Sequence, residues 1–380
     1  MEPLFEVLRP IPTAFLREIG ALTLYGPRAR EPLKAVLSVL LAVSIATALR
    51  LDDLSWAAFS GYMVMRANIS EALPRGLMRI AGTVGGAIIG LSMAPFVADA
   101  PVLLMAGLFI VSWIGTFQSL VSRHSYAWML FGLTAGMVMT EALASPTTTL
   151  FFAGTRVAEI SIGVLSSLIV VSLFESARTP VAVAAPQVAA PASPFGNLRR
   201  FLDEQWLRDH WALLTYSTRA ALAVGLLPLV WRWLEIEDFS QTAVTSYVVM
   251  IVPAAAVREH RHQPIYERIA HRTIGCLLGS IVAILCLGVF CEATFPALLA
   301  LCAGVWIGHH VQIGREGISY LGTQFVLGFL ITYVQGPAPA TSILPGLERL
   351  LGVVIGSLML CFLILIWPQP EAEQQGKPGD

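Results

Sequence analysis

The sequence predicts an all-α polytopic membrane protein of about twelve transmembrane helices, arranged as two parallel six-helix repeats with both termini on the cytoplasmic side. Three observations carry this expectation: an apolar excess, apolar runs of membrane-crossing length, and basic residues that fall almost entirely on one side of those runs. Of the 380 residues, 56% are hydrophobic and 13% charged, whereas a soluble domain has about 45–50% apolar and about 25% charged residues. The formal charge is −1, so there is no bulk basic excess to attract nucleic acid. A soluble two-domain enzyme, the expectation from length alone, is excluded once the apolar residues are seen to be grouped.

About 17–25 apolar residues cross ~30 Å of hydrocarbon. Twelve stretches meet that length, at about 32–50, 54–72, 78–97, 101–120, 125–143, 150–174, 217–235, 239–257, 268–290, 296–314, 320–336 and 345–367. Residues 1–31 contain Pro3, Pro10, Pro12 and Pro27 and acidic residues where a signal peptide has its apolar core; they read as an interfacial amphipathic segment. Of the 24 Lys and Arg residues, 19 fall on one side, among them Arg75, Arg79, Arg268 and Arg272. Only Arg50 and Arg232 fall on the other, and Arg66, Arg156 and Arg349 lie within spans. The positive-inside rule makes the richer side cytoplasmic.

The two halves resemble each other in sequence. At an offset of 185, Asp53-Leu54-Ser55 pairs with Asp238-Phe239-Ser240, Tyr62 with Tyr247, and Lys34 with Arg219. At 189, Arg79-Ile80-Ala81 pairs with Arg268-Ile269-Ala270, and Gly86 and Gly90 pair with Gly275 and Gly279. At 193, Trp113-Ile114-Gly115 pairs with Trp306-Ile307-Gly308, and Arg156 with Arg349. Units with six crossings each share one topology, which places a ligand groove between them. Ser176 to Asn197 reads as an Ala/Pro-rich linker and Leu198 to Leu214 as an amphipathic helix, with an anchoring role. The resulting divisions are 1–31, a first repeat over 32–175, the linker and amphipathic helix over 176–214, a second repeat over 215–368, and a tail over 369–380.

These features resemble the FUSC, or fusaric acid resistance, family: a duplicated six-span unit, a basic residue opening each first span (Lys34, Arg219), the Arg-x-x-Gly-Thr-x-x-Gly-x-x-x-Gly pattern of Arg79 to Gly90, and an Arg-led last span with its glycine (Arg156 to Gly163, Arg349 to Gly356). The resemblance covers about 30–368. It departs from the pattern where His271-Arg272 replaces the Gly-Thr step, and in having only about forty residues between the halves where many members carry a large cytoplasmic domain. The family includes aromatic acid exporters, with plant aluminium-activated malate transporters as distant relatives. The resemblance implies a bacterial inner-membrane exporter of small organic, often aromatic, carboxylates, driven by the proton motive force and working with a periplasmic adaptor protein. A passive organic-anion channel and a non-transporting membrane subunit of a larger assembly are the alternatives.

Anion transport requires cations within the bilayer, a helix break exposing backbone donors, and a titratable group for coupling. Arg66, Arg156 and Arg349 are the candidate cations, joined by Lys34 and Arg219 and by Tyr62 and Tyr247 as aromatic contacts. The repeat aligns Arg66 with Ile251, so the second span is expected to run on through Arg66; the alternative is a snorkelling Arg66 paired with Glu71. Asn68 and Pro253 mark a helix break at matching positions. Glu159 shares a helix face with Arg156 and is either a coupling acid or half of a structural ion pair. His309 and His310 are either a proton relay or interfacial histidines. The Gly-x-x-x-Gly spacings point to close helix packing, with a homodimer as the lesser reading. The Arg258 to His262 cluster reads as surface charge, so no metal site or cofactor is expected. The five cysteines are expected as free thiols. The motifs of nucleotide hydrolysis and of metal or serine hydrolases are not found, so the chain does not read as an enzyme.

Overall fold

A computed structural model describes residues 8–51, 53–176, 204–234, 257, 263–290, 294–336 and 344–366. Among them every regular element is a helix: α1 (Ile11–Gly20), α2 (Pro27–Ala48), α3 (Leu54–Val64), α4 (Ile69–Val97), α5 (Pro101–Val121), α6 (Ser125–Ala144), α7 (Thr149–Ser176), α8 (Glu204–Gly225), α9 (Leu227–Leu234), α10 (Gln263–Phe290), α11 (Thr294–Gln312), α12 (Ser319–Tyr333) and α13 (Leu344–Ile366). Eight membrane-crossing candidates, in α2, α4, α5, α6, α7, α8, α10 and α11, are long and apolar enough to span a bilayer. Large apolar side chains such as Ile88, Phe96, Val102, Leu285 and Phe295 face outward, as lipid contact allows and water does not. This is a multi-pass membrane protein. The span expected at 239–257 lies, apart from Val257, outside the described residues.

The strongest pairings are α4 with α6 and α10 with α12, while α3 lies against α2, α7 and α12. One apolar cluster joins both halves: Val39 of α2 and Tyr62 of α3 share it with Val305 of α11 and Phe325 and Phe329 of α12. Glycines set the distance in both main pairs. A Cβ at Gly82 would overlap the Ala127 carbonyl, and one at Gly86 would lie 2.5 Å from the Phe131 oxygen. In the other pair a Cβ at Gly275 would lie 2.6 Å from the Leu321 oxygen, and one at Gly279 would overlap the Phe325 carbonyl. These contacts correspond at an offset of 193 along α4 and α10 and 194 along α6 and α12, one helical turn away from the 189 register read from the sequence.

Two expected boundaries are corrected. The second span does not continue through Arg66, because α3 stops at Val64, residues 65–68 are not helical and α4 begins at Ile69. Side chains from three helices and from the break itself satisfy the backbone groups released there. Arg75 donates through Nε to the Met63 carbonyl (3.0 Å), Arg66 to its neighbour Met65 (2.6 Å) and Lys34 to Ala67 (3.3 Å), while Glu175 accepts from the Ile69 N–H (2.8 Å). Non-helical backbone within a bundle persists only when it is satisfied in this way. Second, the amphipathic helix of 198–214 and the span from 217 are one element in their described part, since α8 runs unbroken across residue 214. Nothing between Glu204 and Ala223 breaks a helix; the interruption comes at Leu226, between Gly225 and Pro228.

The N-terminal segment is seated on the protein. Ile11 and Ala14 of α1 pack with Val311, Ile318 and Leu321. Glu18, 3% exposed, accepts from the N–H groups of Arg315 (2.5 Å) and Glu316 (3.0 Å) and from Arg28 (2.5 Å).

Candidate functional site

A cavity of about 360 Å³ lies where α3, α4 and α6 meet α10, α11 and α12. Its lining is graded by exposure. Arg66, Arg75, Arg268, Tyr320 and Gln312 are partly exposed, while Trp56, Leu133, Leu327 and Ile331 are buried. On α12, Tyr320 and Ile331 are eleven residues apart, about 16 Å along the helix. Five arginines line the space, Arg66, Arg75, Arg79, Arg268 and Arg272, and no acidic residue does so among the described residues.

Arg79 is the most buried of them, at 1% exposure. It sits on α4 opposite α6 because Gly82 and Gly86 let those helices approach. Its Nε donates to Ser60 Oγ (3.1 Å), its Nη1 donates to the Tyr126 hydroxyl (2.8 Å), and the Phe59 ring lies 4.8 Å from the guanidinium. Its Nη2 is buried with no hydrogen-bond partner among the described residues. One turn earlier in α4, Arg75 stands 4.0 Å above the Tyr126 ring. None of Arg66, Arg75 and Arg79 forms an ion pair with a carboxylate among the described residues. Neutral acceptors and ring faces hold these charges in place without cancelling them. The chemistry left open is the binding of an anion, with an apolar body accommodated by Trp56, Phe59, Met129 and Leu327.

On the second-half side, Arg272 donates through Nη1 to Gln324 Oε1 (2.9 Å), and Arg268 stands 4.8 Å above the Tyr320 ring. Tyr62 crosses between the halves, donating its hydroxyl to Gln312 Oε1 and meeting the His309 ring edge-on at 5.6 Å.

Of the candidates read from sequence, Arg66 and Tyr62 line the cavity and the others described do not. Lys34 is buried, paired with Glu31 (2.7 Å), and holds the break at Ala67. Arg156 sits behind Trp56 between Asp53 (3.1 Å) and Glu159 (3.2 Å), its guanidinium stacked on Trp56 and Phe152. Arg219 is buried in α8, away from the cavity. His309 and His310 are buried in the last turn of α11. Asn68 occupies the N-cap position of α4 in extended conformation. Arg349 lies in α13 and its side chain is outside the described residues, as are Tyr247 and Pro253 altogether. No cluster of metal-ligating side chains occurs among the described residues. Cys276, Cys286 and Cys302 are free, and Cys291 and the side chain of Cys361 lie outside the described residues.

Arg75, Arg79, Arg268 and Arg272 were counted from the sequence as charges on the cytoplasmic face; the structure places them in helices around the cavity. The signal was present in their spacing. Each pair is four apart, hence on one helix face, and each faces a helix that opens Ser-Tyr, at 125–126 and 319–320.

The model of the fusaric acid resistance protein family matches residues 32–203. An uncharacterized transporter of Gluconobacter oxydans is 25% identical over 185 residues, 46% of this chain and 25% of its own length. The p-hydroxybenzoic acid efflux pump subunits AaeB of Citrobacter koseri and Escherichia coli are each 28% identical over 167 residues, 41% of this chain and 26% of theirs. The matched part thus spans about a quarter of the length of these curated relatives. No solved structure matches the chain. Over residues 32–203, a stretch that includes the helices from α2 to α7, the chain is similar to the fusaric acid resistance protein family.

Proposed function

We propose that this protein is a bacterial inner-membrane exporter of small organic acids, aromatic carboxylates above all, built from two six-span repeats with both termini cytoplasmic. The observation that supports it most is the cavity: five arginines around an apolar space, with no acidic residue lining it among the described residues. The name of the AaeB relatives, p-hydroxybenzoic acid efflux pump subunits, points to the same class of solute. In this reading the carboxylate enters past Arg66 and Arg75 and is held by the open donor of Arg79, while the ring lies against Phe59 and Trp56.

Coupling to the proton motive force is assigned to the cluster behind Trp56. There Glu159 shares Arg156 with Asp53, so a proton on Glu159 weakens its hold on the guanidinium that stacks against the cavity's own Trp56. The word subunit in the relatives' names supports a partner, which we take to be a periplasmic adaptor protein. Reconstituted protein is expected to move p-hydroxybenzoate in response to a pH gradient, and Arg79→Gln to lower that flux by about tenfold or more. Flux that ignores the pH gradient and follows the membrane potential alone would replace the pump by a passive channel, since an inside-negative potential drives anion exit by about 2.3 kcal/mol per charge per 100 mV.

A further inference from the structure

We infer that Tyr126 is a second ligand of the bound anion: its phenol O–H donates to the same carboxylate that the open nitrogen of Arg79 holds. This rests on the anion-binding reading above and adds to it a residue that sets which solutes fit.

The direction of one hydrogen bond decides what Tyr126 can do. Tyr126, the second residue of α6, lines the cavity beside Arg79, and Arg79 Nη1 lies 2.8 Å from its hydroxyl oxygen. A guanidinium has five N–H donors and no acceptor. Tyr126 is therefore the acceptor in that bond, and its one hydrogen has to point away from Arg79. The hydroxyl makes no other hydrogen bond among the described residues, so that hydrogen is unclaimed beside the cavity. The ring is held from its face by the Arg75 guanidinium, 4.0 Å from the centroid, and Arg75 is itself tied through Nε to the Met63 carbonyl at 3.0 Å.

Arg79 is equally fixed. It is 1% exposed, with Nε on Ser60 Oγ at 3.1 Å and Nη2 buried without a partner among the described residues. One guanidinium nitrogen and one phenol hydrogen thus stand unused on two side chains already bonded to each other. A carboxylate has two oxygens and only accepts, so it can take both donors at once. Donation from Arg79 also polarises the phenol and strengthens its O–H as a donor. A neutral carboxamide sets its own N–H groups against one of the two donors, so the pair favours acceptor-only anions, carboxylates and sulfonates, over neutral amides of the same shape.

The test is titration calorimetry of benzoate on the full-length protein in nanodiscs, at a mildly acidic pH where benzoate stays ionised and a phenol stays protonated. The variants are Arg79→Gln, Tyr126→Phe and Tyr126→meta-fluorotyrosine. Tyr126→Phe keeps the ring under Arg75 and is expected to weaken benzoate binding about tenfold, the worth of one hydrogen bond to a charged group. Fluorine makes the phenol a stronger donor and a weaker acceptor, so Tyr126→meta-fluorotyrosine is expected to tighten benzoate binding about twofold; the fluorine resonance verifies that the phenol is protonated. A Tyr126 that only anchors Arg79 gives the opposite sign. Benzoate binding that is unchanged or weaker after fluorination overturns the inference, and so does a Tyr126→Phe variant that binds benzoate as tightly as the unmodified protein. The fluorinated side chain differs from tyrosine by one atom, so that comparison stands even where Tyr126→Phe unfolds. Benzoate that does not bind the unmodified protein, or binds equally well after Arg79→Gln, overturns the anion-site reading itself.

Discussion

The helix pairs α4–α6 and α10–α12 use the same glycine seats but fill the space beside them differently. Around Gly86 and Gly90 the side chains met are small, those of Thr134 and Val138, beside the backbone of Phe131 and Ala135. Around Gly279 the facing helix presents rings: Phe325 stacks on Phe329 and Phe329 on Tyr333, with centroids 6.5 and 5.1 Å apart. Those rings then require glycine on a third helix, because a Cβ at Gly304 would overlap Phe329 and one at Gly308 would overlap Val326. Backbone approach is therefore the shared constraint, and ring packing is what the second pair adds. Three of the Gly-x-x-x-Gly spacings are thus used within the chain.

The comparison can be broken most decisively at the seats themselves. Gly86→Leu and Gly279→Leu are each expected to cost about 3 kcal/mol or more, since a backbone carbonyl cannot give way as a side chain can, and to leave little folded protein on size exclusion. Next is Arg156→Ala, which strands buried Glu159 beside Asp53 in the first half; a loss of about 3 kcal/mol is expected in thermal unfolding, with Arg156→Ala/Glu159→Gln recovering part of it.

Two contacts that tie the halves together come next. Burial alone would push the Glu18 carboxyl up, but the N–H groups of Arg315 and Glu316 and the guanidinium of Arg28 outweigh it and hold the carboxyl below its ordinary value of 4.5. A lowered folded-state pKa stabilises the docked helix fully above that ordinary value, and the contribution is lost as pH falls through the folded-state value. Glu18→Gln should cost about 2 kcal/mol at neutral pH and flatten this acid dependence, which proteolysis of the N-terminal segment would follow. Tyr62→Phe removes the bond to Gln312 for about 1 kcal/mol. The smallest effect sharpens the comparison instead: Gly85, one residue from Gly86, would bring a Cβ no closer than 3.6 Å to Phe131. Gly85→Ala should therefore raise stability by up to about 1 kcal/mol through helix propensity.

Helix type, most span positions and the family resemblance were legible because apolar length and glycine spacing act locally along the chain. The break at 65–68 was legible only at Asn68, because what sustains it is remote: Lys34, Arg75 and Glu175 reach it from three helices. Arg66 and Tyr62 could be placed beside the cavity from the sequence. Arg79 and Arg272 could not, because counting arginines by loop assigns a residue ten positions into a helix to the membrane face. The glycine contacts correspond one turn away from the register read in the sequence for a related reason. Glycines four apart match themselves one turn out of phase, and only the carbonyls they rest on distinguish the two alignments.

The contact between Glu18 and the backbone at 315–316 also orders events in time. Ribosomes add about 5–20 residues per second, so the partners of Glu18 emerge roughly 15–60 s after it does. During that interval α1 has its carboxylate and Arg28 but no loop to cap. Helix α1 is therefore seated only after the loop at 315–316 has been made, and its docking reports that this loop has arrived.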